Sequence, residues 1–152
     1  SALPDDFETT YRKKSFEAFK IHLKPVKGVI EFIDKLKIPY CVASSGPLEK
    51  INLNLKTTGL LEKFENKIFS SYQIKSWKPE PEIFLYAAQE MGFAVEECIV
   101  IEDSKAGIMA AVKGGFKVFG LANHTNPKEL ENEGAIVFQS FEELASLLEM
   151  NN

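Results

Sequence analysis

Two cysteines, two histidines and one tryptophan are all that this 152-residue chain holds of those residue types, and each shortage removes a class of protein. Cys41 and Cys98 both lie in apolar stretches, which favours a pair of reduced thiols acting as small apolar side chains over a disulfide or a redox pair. His22 and His124 have no Cys or His at ligand spacing, so a zinc site is not expected. No apolar run approaches the length of a membrane span. The opening Ser1-Ala-Leu-Pro4 also lacks the charged-then-apolar order of a signal segment, so no membrane association is expected and the chain reads as cytoplasmic. An excess of basic residues is missing too. With 18 Lys and Arg against 22 Asp and Glu, and the lysines dispersed, a nucleic-acid surface is not expected. What remains is 45% hydrophobic, enough for one domain with a core.

The apolar residues fall into alternating periods. Val29, Phe32, Ile33 and Leu36 form a helical stripe, followed by an extended run from Tyr40 to Ser44. Leu48, Ile51 and Leu55 mark the next helix, with Gly59 placed to end it. A short strand over 67–70 precedes a helix that starts at Glu80 or Pro81 and ends near Gly92. Ile99 to Glu102 reads as a strand. The helix after it, about 105–113, is expected to turn Ile108, Ala111 and Val112 to the core and to stop at Gly114-Gly115. A strand over 117–121, a short helix over 127–132, a strand over 135–138 and a helix over 141–150 complete the order. Such alternation predicts an α/β fold, with a parallel sheet covered by helices on both faces and sites at the carboxyl ends of the strands.

Three strand ends carry the residues for such a site. Cys98-Ile-Val-Ile-Glu-Asp-Ser-Lys-Ala-Gly107 runs from a buried strand into adjacent carboxylates and then a hydroxyl suited to cap a helix. Glu102 and Asp103 repel each other, and a hard cation such as Mg²⁺ relieves that repulsion. An acidic loop opening a helix is the plainer alternative. Tyr40-Cys-Val-Ala-Ser-Ser-Gly46 ends in two hydroxyls and a glycine ahead of Pro47, so Ser44, Ser45 and Gly46 are candidates for holding a phosphate at a helix start. Capping explains them as well. In Ser76-Trp-Lys-Pro-Glu-Pro-Glu82, Lys78 precedes a proline that stiffens its backbone, making it a candidate fixed positive charge against the plainer reading of a surface lysine. Trp77 beside it reads as packing or as part of the site. Asn123 and His124 follow a strand on the same side, where a polar loop explains them equally.

In this order, hydroxyl at a strand end, then Lys-Pro, then Glu-Asp at a later strand end, the chain resembles the haloacid dehalogenase superfamily of hydrolases over nearly its whole length. Ser-Ser-Gly-Pro, Trp-Lys-Pro-Glu-Pro and Glu-Asp-Ser-Lys-Ala-Gly are most similar to its sugar-phosphate phosphatases, in the branch with a helical cap. The resemblance implies a three-layer Rossmann-like core and Mg²⁺-dependent hydrolysis of a small phosphorylated metabolite. It implies Ser44 as the phosphate-binding hydroxyl with Ser45 and Gly46 beside it, Lys78 as the neutralising cation, and Asp103 as metal ligand assisted by Glu102. The acidic pair speaks against a metal-free dehalogenase. A phosphoacceptor receiver domain would place its acidic pair first and its lysine last, the reverse of the order here.

The family's nucleophile, the first aspartate of Asp-x-Asp-Gly-Thr/Val, has no counterpart in the chain. Asp5-Asp6-Phe7-Glu8-Thr9 has neither a strand before it nor a glycine. Its pattern is that of a helix start, with Phe7, Tyr11, Phe16, Phe19 and Leu23 at helical spacing. By resemblance, residues 1–24 are then a remnant of the cap and its linker and 25–152 the core, lacking its usual first central strand. Two expectations follow from that gap: that the chain alone does not turn over phosphate esters, and that its exposed strands pair with each other or with another chain. A non-catalytic domain of the same fold is the alternative reading.

Overall fold

The computed structural model of the chain describes residues 17–19, 28–123 and 125–149. Six parallel strands form one sheet: β1 (Glu17–Phe19), β2 (Tyr40–Ser44), β3 (Ile68–Ser70), β4 (Ile99–Glu102), β5 (Lys117–Leu121) and β6 (Ile136–Phe138), in spatial order β3-β2-β1-β4-β5-β6. The helices are α1 (Val29–Lys35), α2 (Leu48–Thr57), α3 (Ser71–Ile74), α4 (Glu82–Met91), α5 (Lys105–Lys113), α6 (Pro127–Asn132) and α7 (Phe141–Leu147). None of them is long and apolar enough to cross a membrane.

Successive strand residues point to opposite faces, and the packing follows that alternation. Cys41, Ala43, Val100 and Val118 join α4, α5 and α6 in one apolar layer built on Ile83, Phe84, Ile108 and Leu130. Val42, Ile99, Ile101 and Phe119 join α1, α2 and α7 in the other, on Phe32, Leu55, Phe138 and Leu144. The expected three-layer α/β architecture is therefore present. Cys41 and Cys98 are free and buried. Burial pushes the Cys41 thiol well up from its ordinary pKa, with Cys98 adding to the rise.

One expectation is corrected at the centre of the sheet. Glu17–Phe19 is not part of a helix but a strand, paired in parallel with both β2 and β4, with Phe19 level with Val42 on one side and Ile101 on the other. The position expected to be vacant is thus occupied. The physical reason is non-local. Two central strands facing a gap leave rows of N–H and C=O groups unsatisfied, a demand that outweighs the helical spacing of a few aromatic residues. The other cap-helix positions, Phe7, Tyr11, Phe16 and Leu23, lie outside the described residues.

A smaller correction concerns α5. Gly107, Ile108, Ala110 and Ala111 are buried, whereas Val112 is 42% exposed. At about 100° per residue the buried four share one arc, and Val112 falls outside it.

Candidate functional site

Each of the three sequence motifs reaches the carboxyl edge of the sheet, where β2 and β4 end on either side of β1. Lys78 joins them. Its ammonium lies 2.7 Å from Glu102 Oε2 and 3.4 Å from the Ala43 carbonyl oxygen, so one side chain bridges the ends of the two strands that flank β1. The pair is closed to solvent, with side chains 3% and 0% exposed. The ammonium also lies 4.8 Å from the centre of the Phe84 ring, whose face attracts a cation. The alternative of a surface lysine is therefore excluded by position. Burying such a pair is costly unless its remaining hydrogen-bonding capacity is filled.

Glu102 meets that condition. Its Oε1 accepts from the Asp103 amide at 3.0 Å, the Ser104 amide at 3.2 Å and the Ser104 hydroxyl at 3.2 Å, while Oε2 takes Lys78. The carboxylate lies against the first turn of α5, and Gly107 makes room for it: a Cβ on that residue would overlap the Glu102 side chain. Ser104 caps the same helix, accepting from the Gly107 amide at 3.0 Å, as the sequence predicts. Asp103 is 7% exposed, and its backbone carbonyl accepts from the Thr125 hydroxyl at 3.5 Å, a neighbour that sequence reasoning did not single out. Asn123 is exposed, and His124 lies outside the described residues.

At the end of β2 the arrangement is different. Ser44 Oγ accepts from the Gly46 amide at 3.1 Å, folding Ser44-Ser45-Gly46 into a tight turn ahead of Pro47, which sits at the N-cap of α2. The carbonyls of this turn are held from one neighbouring segment. Trp77 Nε1 donates to the Ser45 oxygen at 3.1 Å, and Ser70 Oγ to the Gly46 oxygen at 2.6 Å. Ser70, at the end of β3, also accepts from the Tyr72 amide, and its own amide donates to Gln73 Oε1, a reciprocal cap of α3. Ser70 was not among the expected site residues. It sits 24 residues from Gly46, and nothing local in the sequence marks the contact.

The donor set suits a metal only in part. Mg²⁺ takes oxygen ligands and commonly binds through one or two carboxylates while retaining several waters. Asp103 fits as one such ligand. Glu102 has both oxygens engaged by Lys78, Ser104 and two amides. Among the described residues no three His, Cys, Asp or Glu side chains gather into a metal cluster. Among the described residues β1 ends at Phe19, level with Val42, with its one carboxylate residue, Glu17, level with Tyr40 at the start of β2.

Comparison with known proteins places this geometry. Residues 1–115 match the haloacid dehalogenase-like hydrolase family. The 6-phosphogluconate phosphatase of Escherichia coli (strain K12) is 30% identical over 140 residues, covering 92% of this chain and 63% of that protein. The phosphorylated carbohydrates phosphatase of Thermotoga maritima is 29% identical over 149 residues, covering 95% and 68%. Among solved structures, a haloacid dehalogenase family hydrolase from Deinococcus radiodurans R1, with bound phosphate and sodium, superposes with a TM-score of 0.77 at 29% identity over 84% of this chain and 60% of that one. The chain thus spans roughly two thirds of the length of these relatives. Family match and site geometry agree: the chain belongs to the haloacid dehalogenase-like hydrolases.

Proposed function

We propose that this chain forms the phosphate- and metal-binding part of a Mg²⁺-dependent phosphatase acting on a small phosphorylated metabolite of the sugar-phosphate type. The observation that carries the reading is the buried Lys78 ammonium bridging the ends of β2 and β4. A phosphate monoester carries close to two negative charges, so a carboxylate nucleophile approaches it only where fixed cations and hydrogen-bond donors screen that charge. Lys78 supplies one such cation, oriented by Glu102 at 2.7 Å. The Ser44 hydroxyl and the amides of the first turn of α2 supply donors at a helix start. Asp103 would hold Mg²⁺, with Glu102 in support through Lys78. When bound, the metal adds positive charge at the phosphoryl oxygens. Relatives acting on 6-phosphogluconate and phosphorylated carbohydrates, and a structural neighbour holding phosphate, support the substrate class.

The covalent step proposed for the complete site is attack of an aspartate carboxylate on phosphorus, expelling the sugar hydroxyl, followed by attack of water that frees phosphate and regenerates the carboxylate. That aspartate belongs to a motif which these 152 residues do not contain, so the chain alone is proposed to be inactive.

Calorimetric titration tests the binding half. Asp103→Asn is expected to weaken Mg²⁺ binding at least about tenfold, a loss of about 1.4 kcal/mol, and unchanged affinity would remove Asp103 from the metal shell. Lys78→Ala is expected to abolish measurable binding of inorganic phosphate. For the chemical half, hydrolysis of sugar phosphates is measured with the chain alone and with an Asp-x-Asp-Gly-Thr strand supplied ahead of Ser1, which must replace Glu17–Phe19 between β2 and β4 to reach the site. Activity only in the second case supports a phosphatase. Silence in both favours the rival reading of a non-catalytic domain, whose support is the absent aspartate motif. Turnover by the chain alone, lost in Asp103→Ala, would show that the nucleophile lies within these 152 residues.

A further inference from the structure

We propose that Trp77 is a positioning residue that locks the Ser44–Gly46 turn to the segment carrying Lys78, holding the turn's carbonyls back so that its hydroxyls and the amides opening α2 face an anion. The inference rests on the phosphate-binding reading above and goes beyond it by assigning the side chain that sets the turn's geometry.

Three carbonyls at the end of β2, those of Ala43, Ser45 and Gly46, each accept a hydrogen bond from a side chain in the stretch 70–78: Lys78 Nζ, Trp77 Nε1 and Ser70 Oγ respectively. A peptide oxygen turned toward a phosphate repels it, and a short turn interconverts easily between arrangements with carbonyl or amide facing the ligand. Fixing the oxygens on one side therefore selects the anion-binding arrangement before the ligand arrives, so less ordering is required on binding. Trp77 is the tie next to Lys78 in sequence, so through it the hydroxyl turn and the ammonium are held in register.

The setting of the indole agrees with this role. Trp77 is 41% exposed and its ring meets the Tyr72 ring edge-on, 5.2 Å between centres at 85°, while Tyr72 is itself 54% exposed. A side chain left that open contributes less by burial than a core aromatic does. Its polar end, by contrast, has a defined partner 32 residues away. Ordinary packing does not account for a tryptophan so placed, whereas a tether does.

Trp77→Phe keeps an aromatic ring beside Tyr72 and removes the N–H together with part of the indole's area. Because Trp77 is the single tryptophan of the chain, the wild type gives one indole N–H signal by NMR. That signal is expected to exchange slowly with solvent and to shift on addition of inorganic phosphate. In Trp77→Phe, amide exchange at Ser45 and Gly46 is expected to accelerate. The dissociation constant for inorganic phosphate is expected to rise about fivefold, with a small fall in the urea midpoint of the size that one lost intramolecular hydrogen bond gives. Trp77→Ala is expected to show the same exchange and affinity changes. Wild-type behaviour of Trp77→Phe in both readouts, with perturbation confined to Trp77→Ala, would assign the effect to ring packing and overturn the lock. A wild type that does not bind phosphate would sink the phosphate reading instead, and amide exchange in Trp77→Phe would still decide the lock.

Discussion

The ends of β2 and β4 face the same edge of the sheet and are built in opposite ways. At β2 the backbone is presented and side chains hold it: Ser70, Trp77 and Lys78 secure the carbonyls of Gly46, Ser45 and Ala43. At β4 a side chain is secured and the backbone does the holding: the amides of Asp103 and Ser104 bind the Glu102 carboxylate. The difference matches the charge each end is suited to receive. An anion is bound by N–H and O–H groups, so carbonyls must be turned away. A cation is bound by carboxylate oxygen, so the acidic groups must be oriented and kept from repelling one another. Lys78 belongs to both ends and neutralises Glu102, leaving Asp103 beside a charge already paired.

The largest expected effect comes from removing the shared group. Lys78→Met leaves the Glu102 carboxylate, 0% exposed, without its counter-charge. The expected cost is about 3–5 kcal/mol of unfolding free energy, read as a lower urea midpoint at constant slope. Adding Glu102→Gln to that variant is expected to recover much of the loss, because the residual buried charge disappears. Strict additivity of the two substitutions would break the account of a coupled pair. Next in size is Gly107→Ala. A methyl group there overlaps the Glu102 side chain, and a cost of about 1–3 kcal/mol is expected from the repacking. In an ordinary helix interior the same change is stabilising by about 1 kcal/mol, so the sign alone tests whether Glu102 occupies the first turn of α5. A neutral or stabilising result would place Glu102 elsewhere.

How much of this was legible in sequence depends on how far the deciding contact reaches. The β4 end was readable because its determinants are local. An apolar run, two acids and a serine at N-cap spacing lie within ten residues, and Ser104 caps α5 as expected. The doubly covered parallel sheet followed from alternating periods in the same way. Glu102 shows the limit even there. Adjacency to Asp103 suggested a second metal ligand, and only the approach of Lys78, 24 residues away, reveals that the carboxylate is committed to a lysine. The parts missed were set by long-range pairing. Ser70 acts on a partner 24 residues distant, and Trp77, open between packing and the site in sequence, is settled by a partner 32 residues away. Glu17–Phe19 becomes a strand because β2 and β4 each present an edge to it. No property of Glu-Ala-Phe announces that, and the surrounding aromatic spacing argued for a helix.

The smallest expected effects separate the two ends most cleanly, because they compare one kind of residue at both. Ser104 caps α5 and also touches Glu102; Ser70 caps α3 and also holds the Gly46 carbonyl. Each change to alanine removes a cap and is expected to cost about 1 kcal/mol of stability, so unfolding alone does not distinguish them. Binding does. Ser104→Ala loosens the carboxylate side and is expected to weaken Mg²⁺ severalfold while leaving inorganic phosphate within about twofold. Ser70→Ala frees a carbonyl on the anion side and is expected to do the reverse. The inference from the crossing is stronger than from either variant singly, since a general loss of order at the sheet edge would weaken both ligands together. If both variants lowered both affinities in parallel, the two strand ends would form one interdependent unit, and the division of labour between a held backbone and a held side chain would fall.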